Sequence, residues 1–442
     1  MSKKSKSKKG NLKWWQLSLL GVASIIGTGF FLGSSLAIKT SGPSILIAFL
    51  IAALGTYIVF NALARMTADH PEKGSFRSYA KKAFGRWAGF SNGWVYWSSE
   101  VLIMGSQLTA LGLFTRFWFE KLPLWMLTSV YAALGILVLL LGVSSFQKIE
   151  NILAVLKVAA ILMFIIIACA ALFGFIDGKK EVSLTKAYGS IFPNGVKGLW
   201  TALIYAFYAF GGIEVMGIMA MDLKNPKDAP KSGKIMLLIL ATIYVLSLGL
   251  AITLLNWDKF STKQSPFIAA LEGYNLPFIP HIFNAVLIIG GFSTMVAALY
   301  AVTNMIVTLS EEGDAPAVFQ KKKGKRELPI PALCLSTGAL IFSIVVSLLL
   351  PDKLYEYITT AAGLMLLYTW MFILLSFRKL MKLTTSEKVL GFVGILLILL
   401  AVSGTIFEKT SRIGFFVSLL FLVVIGFVTL LMKKKWKQET AT

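Results

Sequence analysis

Several groups in this chain combine reactive or backbone-exposing residue types with positions where such residues are seldom tolerated. Gly27-Thr28-Gly29, in SIIGTGFFLGSS (residues 24–35), interrupt one apolar run, and Gly211-Gly212 interrupt another, in FYAFGGIEVMG (residues 207–217). Glycine inside a helix costs roughly 1 kcal/mol relative to alanine, so each glycine group needs a reason. A helix that stops and restarts leaves N–H groups free at the new start and carbonyls free at the old end, each with a partial charge. The N–H groups of Thr28, Gly29 and Phe30 suit a carboxylate, and carbonyls near Phe207 and Phe210 suit an ammonium. Two such breaks side by side suit a zwitterion. The alternative is close helix packing, for which Gly29 and Gly33 form a small-xxx-small face. The paired break at Gly211-Gly212 favours the zwitterion.

Ionisable residues in apolar runs add to this. Lys157 stands in NILAVLKVAAILMFIIIACA, eight residues past Ile149, which is roughly 12 Å of helix and close to mid-bilayer. A lysine there needs water, a partner or its neutral form. Either it snorkels to the surface, or it takes the structural place of a bound cation and exchanges a proton. Glu214, directly after the second break, is either a proton carrier or a polar latch for the broken helix. Glu100 and Gln107, two turns apart in SNGWVYWSSEVLIMGSQLTALG, either line a pocket or bond a neighbouring helix. Ser293 and Thr294 offer hydroxyls to Lys157, or bond their own helix carbonyls. Tyr208, Phe207 and Phe210 either close over a ligand or simply pack.

These residues must be held by elements that live in lipid. Of 442 residues 57% are hydrophobic and 14% charged, against about 25% charged in an ordinary soluble domain; the mean hydropathy is +0.76. Apolar runs of about 20 residues span a bilayer as helices. They are expected near 16–39, 42–66, 87–115, 124–142, 149–175, 197–221, 234–255, 281–310, 331–350, 354–377, 388–407 and 413–432. Of the 43 Lys and Arg, 29 fall in the two tails and every second connection and 12 on the opposite side. That bias places both termini in the cytoplasm. The net charge of +22 is therefore a topology signal rather than a nucleic-acid surface. The basic start MSKKSKSKKGNLK leads into a span without a small-residue cleavage site, so no removable leader is expected. Two cysteines, Cys169 and Cys334, and two histidines, His70 and His281, make no disulfide framework or metal cluster. No cofactor is expected.

The two glycine breaks lie about 184 residues apart, in the first and sixth expected spans. Corresponding interrupted helices in two halves point to an inverted-repeat transporter. Residues 16–175 would form one five-helix repeat and 197–377 the other, with 388–432 two appended helices and 1–13 a basic tail of one membrane domain.

With these pieces assembled, the chain resembles the amino acid–polyamine–organocation (APC) superfamily of transporters, and bacterial amino acid permeases in particular. The resemblance covers the whole chain and rests on IIGTGFFLGSS, HPEKGSFRSYAKKAFGRWAGFSNGWVYW, YAFGGIEVMGIMAMDLKNPKDAPKS and Lys157. It implies an all-α integral membrane protein of 12 transmembrane helices, a leucine-transporter-type 5+5 inverted repeat plus two C-terminal helices. By motif, Gly27, Thr28 and Gly29 would hold a substrate carboxylate, the Phe207 and Phe210 carbonyls an amine, and Tyr208 an aromatic gate position. Lys157 matches the fifth-span lysine of sodium-independent, proton-coupled relatives, and Glu214 an acid of several branches. Arg65 in ALARM and Asp222 before KNP depart from the pattern.

The resulting expectation is a secondary transporter of the cytoplasmic membrane, not an enzyme, which imports amino acids by proton symport and alternating access. The pocket would be lined by Ile25, Ile26, Phe207, Tyr208, Gly211 and Ile213, favouring a neutral, small or branched apolar side chain, with coupling at Lys157, Glu214, Ser293 and Glu100. An amino acid or amine exchanger without net proton coupling, and a non-transporting membrane sensor, are the alternatives.

Overall fold

A computed structural model describes residues 12–72, 74–141, 143–178, 190–220, 223–323, 327–349 and 353–439. The basic tail through residue 11, Asp222 and part of the KKKGKRE patch lie outside them. The chain builds helices in the order α1 (Trp14–Ile25), α2 (Thr28–Phe31), α3 (Gly33–Ser41), α4 (Ile45–Asp69), α5 (Ser75–Phe84), α6 (Arg86–Thr115), α7 (Leu124–Leu141) and α8 (Val143–Leu172). There follow α9 (Gly195–Tyr208), α10 (Ile213–Met219), α11 (Ala229–Leu254), α12 (Pro266–Leu271), α13 (Ile279–Glu311), α14 (Ile330–Leu349), α15 (Leu354–Leu380), α16 (Thr385–Gly404) and α17 (Lys409–Glu439).

By length and composition, eight helical stretches among the described residues suffice to cross a membrane, and Trp14–Ile25 and Ile330–Val346 are shorter apolar helices. Helices cover every interval read as a span, with ends shifted by a few residues. The two intervals carrying the glycine groups are split, α1/α2/α3 and α9/α10, and so fall short of a continuous crossing helix. The connection 67–86 is not simply a loop. Its pattern FRSYAKKAF forms α5, which buries Phe76, Tyr79, Ala80 and Ala83 and exposes Lys81 and Lys82. Gly85, at φ +95°, then turns the chain into α6 in a conformation that a side chain would strain.

In the interior, α6 runs along α13 and α15, α11 runs along α4, and α9 packs on α3 and α4. The four-residue α2 touches α6, α9 and α13, which puts the first break at the centre of the bundle. At the end of the bundle that carries α5, the buried Arg77 makes an ion pair with the equally buried Asp314, past the end of α13. It also meets Glu312 at 2.7 Å and donates to the Gly89 carbonyl at 3.3 Å. The Trp94 indole donates to the Asp314 carbonyl at 3.1 Å. Arg65 of α4 pairs with Glu387 of α16, fastening that outer helix to the core.

Candidate functional site

The first break begins where α1 ends at Ile25 and Gly27 adopts an extended conformation (φ −153°, ψ −164°) before α2 starts at Thr28. The restart is a tight turn, because the amides of Phe30 and Phe31 both donate to the Gly27 carbonyl at 3.0 Å. The Phe30 amide is thus consumed, unlike the expectation from sequence, and the first two helical amides, of Thr28 and Gly29, are those a helix start leaves without an intrahelical acceptor. The second break runs through Ala209–Gly212. Its last residue sits at φ +109°, a value that favours glycine because an L side chain there is strained.

The two breaks touch. A β-carbon on Gly212 would lie 3.5 Å from Ile25 Cγ1, and one on Gly29 would lie 3.5 Å from the Tyr208 carbonyl oxygen. Gly29 is also what lets the Tyr208 ring lie flat on the restart: a β-carbon there would be 3.0 Å from two ring carbons. The Tyr208 hydroxyl is fixed at 2.7 Å from Ser106 Oγ of α6. Ile26, Thr28, Phe207, Phe210 and Ile213 are buried, whereas Gly29, Gly211 and Gly212 retain partial access.

Side chains from other helices bond to the backbone on both sides of the breaks, at a Thr28 carbonyl that already accepts the Leu32 amide at 2.9 Å and at the carbonyl of Ala209. Tyr355 of α15 donates to the Thr28 carbonyl at 3.1 Å, and Tyr244 of α11 donates to the Ala209 carbonyl at 3.1 Å. Glu214 reaches back over its own break: one oxygen accepts the Gly212 amide at 3.0 Å, and the other accepts the indole N–H of Trp370. Both donors point at one carboxyl, which is the geometry of a latch.

The rings of Phe207 and Phe210 do not join Tyr208 over the first break. Phe207 packs edge-on against Trp370 (6.1 Å) and against Gly55 of α4, while Phe210 packs on Tyr244 (5.1 Å), which in turn stacks on Phe30 at 3.9 Å. Successive residues leaving a helix end point in different directions, so only Tyr208 of the three lies over Gly29. The Phe207 carbonyl already accepts the Phe210 amide at 3.0 Å, and the Ala209 amide also reaches it at the helix cap.

Lys157 is buried within α8, at 2% exposure, and its stem lies in the space left open by Gly290 of α13. The next residue, Gly291, opens toward Thr28, since a β-carbon there would be 3.1 Å from Thr28 Cγ2; one on Gly27 would be 3.5 Å from Thr294 Cγ2. One turn of α13 therefore adjoins both the lysine and the first break. In that turn Thr294 bonds its own helix at Gly291, while Ser293 Oγ, like Thr28 Oγ1, is buried with no hydrogen-bond partner among the described residues. Glu100 is buried on α6, one turn after Tyr96.

A separate cavity of about 440 Å³ opens at the end of the bundle opposite α5, lined among others by Lys39, Lys197, Tyr205, Glu356 and Glu408. It does not include the glycines of either break. Sequence reasoning missed Ser106, Tyr244, Gly290, Tyr355 and Trp370, which hold the site from outside. A buried tyrosine or tryptophan needs a polar partner for its O–H or N–H, but nothing in one sequence says that the partner is a broken helix.

The amino acid permease family profile matches residues 16–442. Over 97% of this chain and 96% of its own length, the uncharacterized transporter YcgH of Bacillus subtilis is 57% identical. The gamma-aminobutyric acid permease of the same species is 28% identical over 86% of this chain and 82% of its own, and the aromatic amino acid transport protein AroP of Corynebacterium glutamicum is 31% identical over 86% and 84%. These relatives are permeases and transporters rather than enzymes. The match over nearly its whole length, together with the two touching helix breaks in a bundle of apolar helices, makes this chain a multi-pass membrane protein that belongs to the amino acid permease family.

Proposed function

We propose that this amino acid transporter is a proton symporter that imports an uncharged amino acid across the cell membrane by alternating access. Twelve crossings are assigned to it, with residues 16–175 and 197–377 as inverted five-helix repeats, 388–432 appended and both termini in the cytoplasm. The contact between the two breaks carries the reading. It brings the start of α2, where the amides of Thr28 and Gly29 suit a carboxylate, against the end of α9, whose last carbonyls suit an ammonium. Tyr208, held by Ser106, would cover the bound zwitterion. Ile25, Ile26 and Ile213 limit the size of the side chain.

Proton coupling is assigned to Lys157, in contact with the same α13 turn that borders Thr28. A proton gained or lost there changes the charge beside the first break and so biases which arrangement of α1 and α13 is favoured. Ser293, buried on that turn and unpartnered among the described residues, is the hydroxyl assigned to answer the change. Glu214 is assigned the latch, and Glu100, a second buried acid, is assigned to coupling on α6.

Uptake of labelled amino acids into proteoliposomes, with and without an inward proton gradient and with sodium present or absent, tests this. Accumulation that needs the proton gradient, ignores sodium and loses that dependence in Lys157→Ala is the expected outcome. Exchange that persists without any gradient, alongside no net uptake, would replace symport with exchange.

A further inference from the structure

Gly85 turns the chain between α5 and α6, and the residue on each side of it is half of a cation–ring contact. Phe84, at the end of α5, has the Lys379 ammonium from the end of α15 over its ring at 4.8 Å. Arg86, at the start of α6, lays its guanidinium over the ring of Trp436, near the end of α17, at 4.6 Å. The Phe90 ring meets the same indole edge-on at 5.5 Å. Because Phe84 and Arg86 are two residues apart, the ends of α15 and α17 converge on the α5–α6 turn. Along their length α15 packs on both α5 and α17, and α17 packs on α6.

This corner gathers positive charge. Arg378, Lys379 and Lys382 come from the end of α15, Lys433 and Lys434 from α17, and all are exposed. Among the described residues none of them lies within ion-pair distance of a carboxylate, whereas Arg77 and Lys82 nearby on α5 are paired with Asp314 and Glu72. A bias toward basic residues on one side of a membrane explains why lysines lie at this end of the bundle. It does not explain why separate helix ends meet there without acids between them. Like charges held together repel, and the repulsion is relieved by an anion. Within one turn of these cations the surface becomes apolar, with Leu375 and Leu380 of α15 and Leu430 and Leu431 of α17 exposed.

We infer that this corner binds an anionic phospholipid, its headgroup phosphate among the cations of α15 and α17 and its acyl chains along the exposed leucines of the same two helices. The Arg378 guanidinium offers a fork that fits two phosphate oxygens, and the lysines add compact charges around it. Basic surfaces between helix ends are where a membrane protein holds anionic headgroups. The leucines favour a lipid over a free phosphate, which would use the charges alone. Bound lipid would quiet the repulsion and tie α15 and α17 to the α5–α6 turn, so it should stabilise the fold. The inference concerns binding, and it stands or falls apart from the transport reading.

The experiment titrates the full-length protein, in a neutral detergent, with phosphatidylglycerol or phosphatidylcholine and follows the melting temperature. Wild type is compared with Arg378→Gln/Lys382→Gln/Lys434→Gln and with Lys321→Gln/Lys322→Gln/Lys323→Gln, which loses the same charge from the connection after α13. Phosphatidylglycerol should raise the wild-type melting temperature where phosphatidylcholine does not. Each basic residue near a headgroup layer counts for about fivefold in affinity, so the corner variant should need at least about tenfold more phosphatidylglycerol for half of its shift. The variant of residues 321–323 should titrate like wild type. Equal effects of the two lipids on wild type would overturn the inference, as would equal losses in the two variants, which would mean diffuse charge rather than a site. A full shift with inorganic phosphate alone would overturn the lipid assignment in favour of a free anion. Should the corner variant fail to insert, Lys382→Gln/Lys434→Gln takes its place in the same comparison.

Discussion

The stem of Lys157 occupies the volume that a β-carbon on Gly290 would need: the added atom would lie 2.6 Å from Lys157 Cγ and 2.9 Å from Cδ. Real β-carbons do not approach that closely, so Gly290→Ala must displace the lysine. If position is what makes Lys157 useful, the substitution should lower proton-driven uptake by about tenfold or more, the loss expected for a misplaced functional group. Combined with Lys157→Ala, it should add little, because the clash is gone. Losses that simply multiply in the double variant would show that the two residues act independently.

Glu214 accepts from two donors, the Gly212 amide and the Trp370 indole. Glu214→Gln replaces one acceptor oxygen by an NH2 group, so a donor meets a donor and one buried N–H loses its partner. A cost of about 1–3 kcal/mol is expected, read as a lower melting temperature in detergent. Trp370→Phe removes the donor instead and leaves an oxygen unmet, which should destabilise in the same direction. Were Glu214→Gln as stable as wild type but impaired in proton dependence, the latch would give way to proton carriage.

Arg77 and Asp314 form a buried ion pair, joined at its edge by the exposed Glu312. Removing one partner strands a charge out of water, and Arg77→Met should destabilise by about 3–5 kcal/mol. Replacing both members, Arg77→Met with Asp314→Leu, should recover most of the loss, because a buried pair is often no better than apolar residues of similar size. Thermal unfolding of the three variants in detergent checks both statements; a double variant as damaged as the single one would refute the second.

Outside the spans, Glu408 opens α17. Burial pushes its carboxyl up, but the Thr410 hydroxyl and the Ser411 and Thr410 amides outweigh burial and hold it below the usual carboxylate value. The Ser411 amide is 2.8 Å from Oε2. A group depressed in the folded state stabilises fully above its unfolded pKa of about 4.3 and loses that contribution as pH falls through the lower folded value. The melting temperature of Glu408→Gln should therefore lie below that of wild type at neutral pH and converge with it on acidification. Parallel curves down to low pH would disprove the assignment.

The positions of both breaks were legible in the sequence, because glycines in mid-span conflict with helix propensity and the conflict is visible locally. Lys157 was legible for the same reason, as a charge in an apolar run. What the breaks rest on was not. Tyr244, Tyr355 and Trp370 look like ordinary packing aromatics, and their partners are backbone carbonyls or a carboxyl far away in sequence. The outward turn of the Phe207 and Phe210 rings was equally hidden, since it depends on where α9 ends, at Tyr208. Gly290 reads as a packing glycine until Lys157 is placed against it. In α5, the alternation of FRSYAKKAF was visible, but its burial beneath the bundle depends on Asp314, more than two hundred residues later.

Among the described residues, the side-chain donors to the two carbonyls and the carboxyl at the breaks come from α11 and α15, as Tyr244, Tyr355 and Trp370. None of the three needs to touch cargo to matter. A survey of loss-of-function substitutions should therefore return two populations. One would change which amino acids compete with one another. The other would leave the ranking of competitors intact and lower every rate together, as substitutions at these three aromatics would. Ranking competitors, rather than counting lost transport, is what tells a lining residue from a strut.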